Sequence, residues 1–158
     1  ELKDWNLDIA VGLTGAMLCC QVFGAHMAKQ SGGVIINIGS EYSLIAPDQT
    51  VYRIEGLPDE QQPSKPITYT VVKHPIVGLT KHLAVYWASN GIRVNCLCPG
   101  GVEQHQDSEF KKRITRLIPM GRMANQEDMR GALVFLCSDA SSFMTGETIA
   151  VNGGRTCW

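Results

Sequence analysis

The chain has almost no net charge, few aromatic residues and no paired-cysteine spacing, and each shortage removes a class of function. Its 158 residues carry 14 Lys and Arg against 15 Asp and Glu, a formal net charge of -1. The two signs are interspersed, so no basic footprint for nucleic acid is expected. The six cysteines (Cys19, Cys20, Cys96, Cys98, Cys137 and Cys157) contain no Cys-x2-Cys pair. They read as reduced core thiols of a cytoplasmic protein rather than a disulfide or zinc framework. His74, His82 and His105 have no ligand-like spacing to acids or cysteines, so no metal site is expected. No apolar run is read as approaching the roughly 20 residues that span a bilayer, and residues 1–30 lack a signal-peptide layout. The stretch from Ile9 to Lys29 contains Gly12, Gly15, Gln21, Gly24 and His26. It reads as a buried amphipathic helix. The first residue is Glu1, already in helical pattern, and a segment upstream of it is expected.

With 44% hydrophobic and 18% charged residues, the chain is ordinary globular material, long enough for one core. The pattern predicts a long helix over Asp4–Gln30, with Val11, Leu18, Val22 and Phe23 at helical intervals. Val34–Ile38 is a β-branched run suited to a buried strand. Glu41–Pro66 is irregular, rich in Pro, Asp, Glu and Gln, and too polar for core. A helix over Thr68–Ser89 follows, with Val72, Ile76, Leu79, Leu83 and Tyr86 on one stripe, stopped by Asn90-Gly91. Ile92–Leu97 is a second strand, Glu109–Leu117 a short basic helix, Gln126–Cys137 a helix capped by Asn125, and Thr148–Val151 a last strand. This alternation predicts a parallel α/β sheet whose ligand crevice lies at the carboxyl ends of the strands. Ser40 and Pro99-Gly100 fall at those ends.

The chemistry concentrates in Tyr69-Thr70-Val71-Val72-Lys73. Four residues apart on a helix, the phenol and the ammonium share a face. A phenol titrates near ~10 and transfers protons poorly at neutral pH, and a fixed cation beside it favours the phenolate. Such a pair is common by chance, and its flanks give it meaning.

Those flanks run in an order that resembles the short-chain dehydrogenase/reductase family. Gly33-Val34-Ile35-Ile36-Asn37-Ile38-Gly39-Ser40 is similar to that family's strand ending in the active-site serine, and Tyr69-x3-Lys73 to its catalytic pair. Ile92 to Val102 resembles its cofactor-contacting strand and turn. Phe135 to Ser142, Thr145-Gly146-Glu147 and Val151-Asn152-Gly153-Gly154 resemble its C-terminal signature. More weakly, Tyr69 to His74, the polar 41–66 segment and the Gly-Gly-Arg-Thr-Cys-Trp ending resemble bacterial oxidoreductases of flagellin and surface-glycan modification. The resemblance implies a Rossmann-like doubly wound parallel sheet, represented by its C-terminal half. Residues 1–158 would be a partial dinucleotide-binding domain of three parallel strands with flanking helices. Residues 41–66 would be an insertion, serving as substrate lid or solvated loop, with Tyr42, Tyr52 and Arg53 near the pocket.

The same resemblance implies roles. Tyr69 exchanges the proton on the substrate oxygen, Lys73 lowers the Tyr69 pKa and holds nicotinamide ribose, and Ser40 binds the substrate oxygen, with Ser43 as its rival. Pro99, Gly100, Gly101 and Val102, with Tyr69 and Lys73, contact NAD or NADP. The function implied is hydride transfer between that cofactor and an alcohol/ketone substrate, possibly sugar-derived. The alternative is an inactive short form acting as an assembly or regulatory module. The partner surfaces expected are those of a homo-oligomer formed through helices 4–30 and 68–89, with no nucleic acid or membrane. Four departures from the family pattern stand out. The first cofactor-binding half, roughly 100 residues, is not in the sequence. Gly12 occupies a position where the family usually has a proton-relaying Asn. Pro75 is expected to bend the helix beside Lys73. Gln104 replaces a common cofactor-contacting Thr.

Overall fold

The structure, a computed structural model, describes residues 1–30 and 32–158. Three β-branched or apolar runs form β1 (Gly33–Ile38), β2 (Ile92–Pro99) and β3 (Thr148–Val151). They pair in parallel in the order β1-β2-β3, with Gly33 opposite Ile92, Ile38 opposite Leu97, and Cys96 opposite Thr148. Parallel neighbours need long crossovers. Here the first crossover carries α3 (Ile67–Trp87); the second carries α4 (Ser108–Thr115) and α5 (Glu127–Cys137). The chain begins with α1 (Leu2–Ile9), a π-helical turn (Ala10–Thr14) and α2 (Gly15–Lys29). This is the expected parallel α/β architecture.

Alternation along β2 divides its side chains between two environments. Ile92 and Val94 join Cys20, Ala84 and Trp87 in one cluster, while Cys96 and Cys98 pack on Ile76, with Leu13 and Ala16 against them. From the other register of the strand, the Arg93 guanidinium donates to the carbonyls of Leu136, Ser138 and Met144 at 3.0–3.3 Å. Asn95 donates to Met144 O (2.9 Å) and accepts from Glu147 N (3.0 Å). These part-buried bonds satisfy carbonyls that α5 and its following turn leave free. They thereby fix where β3 begins.

The first helical arm departs from expectation. Val11, Leu18, Val22 and Phe23 are exposed, and of α2 only Cys20 and Gly24 are buried. The packed face is the small one. A Cβ on Gly24 would stand 2.5 Å from Trp87 Cζ2, and a Cβ on Gly12 would overlap Val72 Cγ1. Close approach of this arm to α3 requires glycine at both places. The large apolar residues consequently point away from the body. The arm Leu2–Lys29 is also long and apolar enough to cross a membrane by length and composition, which corrects the expectation that no such segment exists.

On α3 the buried row is Thr68, Val72, Ile76, Thr80, Ala84 and Trp87, so Tyr86 is exposed rather than core. The helix runs unbroken through Pro75, whose ring lies on its exposed side. Gly91, at φ 71°, supplies the left-handed residue that stops the following turn. Asn125 caps α5: its Oδ1 accepts from Asp128 N at 3.0 Å, while Asp128 Oδ2 accepts from Asn125 N at 2.7 Å. Of the six free cysteines, Cys20, Cys96 and Cys98 are buried; Cys19, Cys137 and Cys157 are exposed and are not core.

Candidate functional site

At the carboxyl ends of β1 and β2 lies a cavity of about 630 Å³. Its floor is Ile38, Gly39 and Ser40 from the first strand end and Pro99–Val102 from the second; Tyr69 and Lys73 of α3 form a wall. Two elements, the end of β1 and α3, thus bring Ser40, Tyr69 and Lys73 to one space. The Lys73 ammonium donates to the Ile38 carbonyl at 3.0 Å, which ties the middle of α3 to the end of β1. Tyr69 keeps 36% of its surface exposed, and Ser40 keeps 7%. The phenol is therefore open to a ligand, while the serine looks into the cavity from a closed wall.

Ser40 and Ser43 have different surroundings. Ser43 Oγ accepts from Ser40 N (3.0 Å) and donates to the Lys73 carbonyl (2.8 Å). It is a buried brace between the two walls and does not line the cavity. Ser40 Oγ accepts from Tyr42 N at 3.2 Å and starts a short helical turn over Glu41–Ser43. Gly39 makes this closeness feasible, because a Cβ there would stand 2.7 Å from Cys98 Sγ and 2.8 Å from Ser43 Oγ. Gly100 likewise permits the second floor segment to lie 2.8 Å, measured from a would-be Cβ, from Asn152 Cα.

The 41–66 segment supplies more of the site than its polarity predicts. Tyr42, at the cavity, stands edge-on to Tyr69, with ring centroids 6.1 Å apart. Its hydroxyl meets that of Tyr52 at 3.4 Å, and burial pushes the Tyr42 phenol well above its ordinary pKa. Val51 is buried with Ile114, Ile118 and Met123, and Tyr52 and Phe110 pack against that cluster. So Val51 and Tyr52 share a small core with the α4 region, while residues 53–61 are exposed to solvent. Arg53 turns away and pairs with Asp59 at 2.8 Å.

Glu41 and Lys65 are among the cavity residues that the sequence did not single out. Glu41 is 4% exposed, its Oε2 has no hydrogen-bond partner, and burial raises its pKa, with the nearby Arg155 charge partly opposing. Its signal was only its place next to Ser40. Lys65 lies over the Tyr69 ring, Nζ 3.9 Å from the centroid, against 5.9 Å for Lys73. The repeat Lys65-x3-Tyr69-x3-Lys73 held the signal for it.

The departures from the family pattern also acquire geometry. Val72 fills the space a side chain at position 12 would need. Asp8, one turn before Gly12, accepts from Thr68 Oγ1 at 2.5 Å. Gln104 is exposed and does not line the cavity. Among the described residues no cluster of His, Cys, Asp or Glu has metal-site geometry.

The family model described as enoyl-(acyl carrier protein) reductase matches residues 59–156. D-threitol dehydrogenase of Mycolicibacterium smegmatis is 32% identical over 161 residues, an alignment that spans 99% of this chain and 56% of that protein. A short-chain dehydrogenase from Leptospira borgpetersenii, solved with bound NAD+, superposes with a TM-score of 0.88 at 34% identity, over 98% of this chain and 57% of that one. A gluconate 5-dehydrogenase from Burkholderia cenocepacia, solved with NADP and tartrate, gives 0.86 at 30% identity, over 100% and 58%. The chain therefore spans just over half the length of these relatives. Its strand order, its ordered motifs and these matches agree: the chain belongs to the short-chain dehydrogenase/reductase family.

Proposed function

We propose that this chain carries the catalytic half of an NAD- or NADP-dependent oxidoreductase acting on an alcohol/ketone pair of a small polyhydroxylated molecule. The observation that carries the reading is the convergence of Ser40, Tyr69 and Lys73 on one cavity at the strand ends. The substrate class leans on the threitol and gluconate in the names of two relatives.

The floor fits the nicotinamide end of such a cofactor. It is formed by Ile38, Gly39 and Pro99–Val102. Lys73 and Tyr69 would hold the ribose, and Pro99–Val102 the carboxamide. When bound, the cofactor supplies or accepts the hydride. The chain's own residues handle the proton. Tyr69 Oη receives it from the substrate hydroxyl during oxidation and returns it during reduction. The ammonium of Lys73 lies 5.9 Å from the Tyr69 ring centroid, beside the group that exchanges the proton. Ser40 Oγ, anchored at the end of β1, donates to the substrate oxygen as charge grows on it. Its neighbour Ser43 keeps the loop and the helix in step.

The test uses protein expressed from its complete reading frame, assayed with D-threitol and D-gluconate and either nucleotide. Tyr69→Phe is expected to lower turnover by at least about 10²-fold, the scale of a lost proton-transfer group, with nucleotide affinity nearly unchanged. Turnover that survives Tyr69→Phe sinks the reading. Absence of turnover in the parent protein favours the inactive assembly module.

We also infer self-association through α1–α2 and α3. Val11, Leu18, Val22 and Phe23 on the arm and Val85 and Tyr86 on α3 are exposed together with Leu7, more large apolar surface than a lone helical layer usually leaves. A second copy of the same pair of helices is the occupant that suits this face.

A further inference from the structure

The cation nearest the Tyr69 ring is Lys65, which precedes α3 and belongs to the 41–66 segment. Its ammonium sits 3.9 Å from the ring centroid, within the range of a cation–π contact, and its side chain borders both the main cavity and a smaller one near Gly12. Its backbone is pinned from both sides by one residue. Lys65 N donates to Gln49 Oε1 at 2.8 Å, and Gln49 Nε2 donates to Lys65 O at 3.4 Å. The ammonium is thus delivered to the site by a held loop rather than by a free tail.

That charge is unbalanced. Lys65 takes part in none of the ion pairs found among the described residues. Burial lowers its pKa, and no carboxylate offsets the effect. The acids of the two cavities it borders are engaged otherwise: Asp107 caps α4 by accepting from Phe110 N at 2.8 Å, Asp8 accepts from Thr68 Oγ1, and Glu41 lies in the inner wall, where burial favours its neutral form. Lys73 is held on the Ile38 carbonyl. A half-buried cation with a ring beneath it and no counter-charge is stabilised when a ligand brings one.

Resting on the oxidoreductase reading above, we propose that Lys65 is the substrate-charge reader of this site and that the substrate carries a carboxylate near its reacting carbon. One unpaired ammonium matches the single charge of a carboxylate. Because the ammonium lies over the ring whose hydroxyl exchanges the proton, the acid group and the reacting oxygen approach Tyr69 from adjacent sides. An aldonate satisfies this arrangement, and the corresponding neutral alditol does not.

The experiment is a calorimetric titration of the protein, expressed from its complete reading frame, with D-gluconate and with D-glucitol. These ligands differ at one end, carboxylate against hydroxymethyl. Gluconate is expected to bind at least about tenfold more tightly, equivalent to about 1.4 kcal/mol, with the ratio shrinking as salt is added. Lys65→Met should bring the ratio close to one, and Lys65→Arg should keep most of it. Equal affinities in the parent protein, an unchanged ratio in Lys65→Met, or no gluconate binding overturns the proposal. Tyr69→Phe retains the ring under Lys65, so the binding ratio should persist while turnover is lost. Turnover indifferent to Tyr69→Phe would overturn the oxidoreductase reading alone; a lost ratio in the parent overturns the role of Lys65 alone.

Discussion

Placing asparagine at position 12, as the family usually has, should destabilise this chain rather than improve it. A Cβ on Gly12 overlaps Val72 Cγ1 and stands 3.5 Å from Val72 Cβ, before any amide is added. Val72 is buried at 6% exposure in the middle of α3, and a β-branched side chain on a helix has essentially one rotamer to offer. The helices must therefore separate, or the valine must adopt a strained angle. Overpacking of this kind costs about 1–3 kcal/mol. Replacing glycine by asparagine in a helix recovers only a few tenths of a kcal/mol, so the clash dominates. For a chain of this size the loss should lower the melting temperature by about 2–12 °C. Urea and thermal unfolding followed by circular dichroism would measure it. Val72→Ala removes the atom responsible, so the double variant Gly12→Asn/Val72→Ala should show a favourable coupling of about 1 kcal/mol or more. A Gly12→Asn variant as stable as the parent, or effects additive within about 0.5 kcal/mol, would refute the argument.

Two further outcomes follow from the geometry. Glu41 has its pKa raised above the ordinary 4.5 by burial, so between 4.5 and its folded value the native state holds more protons than the unfolded one. Stability from this group is full below 4.5 and falls as pH rises through the folded pKa; Glu41→Gln should therefore gain on the parent protein as pH is raised from 4 to 8. Denaturation midpoints at several pH values would show this, and a difference that stays flat or shrinks would exclude it. For the exposed helical face, sedimentation analysis should find a mass above that of one chain, and Val22→Glu with Phe23→Glu should reduce it to the monomer. An unchanged mass would remove the self-association proposal.

The sheet was legible because its strands are short β-branched or apolar runs bounded by Gly and Pro, and the structure keeps them within a residue or two. The pattern could place Ser40 just after β1 and Tyr69 and Lys73 one turn apart on α3, because both elements have clear local periodicity. The packing of the first helical arm was not legible. Reading for large apolar residues picks Val11, Leu18, Val22 and Phe23, whereas close helix packing selects Gly12 and Gly24, whose contribution is the absence of a side chain. Polarity also misled over 41–66. Val51 and Tyr52 find their apolar partners in α4, and no local pattern encodes a contact between segments more than fifty residues apart. Lys65 escaped notice because its position depends on Gln49, a partner sixteen residues earlier in an irregular segment.

The Ser43 brace has a consequence for how this architecture can change over time. Ser43 joins the backbone of Ser40 to the backbone of Lys73, so the spacing of these two residues is held by one side chain that precedes residue 44. Residues 44–66 are anchored separately, by Val51 in the cluster with Ile114 and by Gln49 on the Lys65 backbone. Changes in their exposed stretch 53–61 leave the bond from Ser43 to the Lys73 carbonyl untouched. On the function proposed above, substrate choice and proton exchange would occupy separate stretches of chain, free to diverge at different rates.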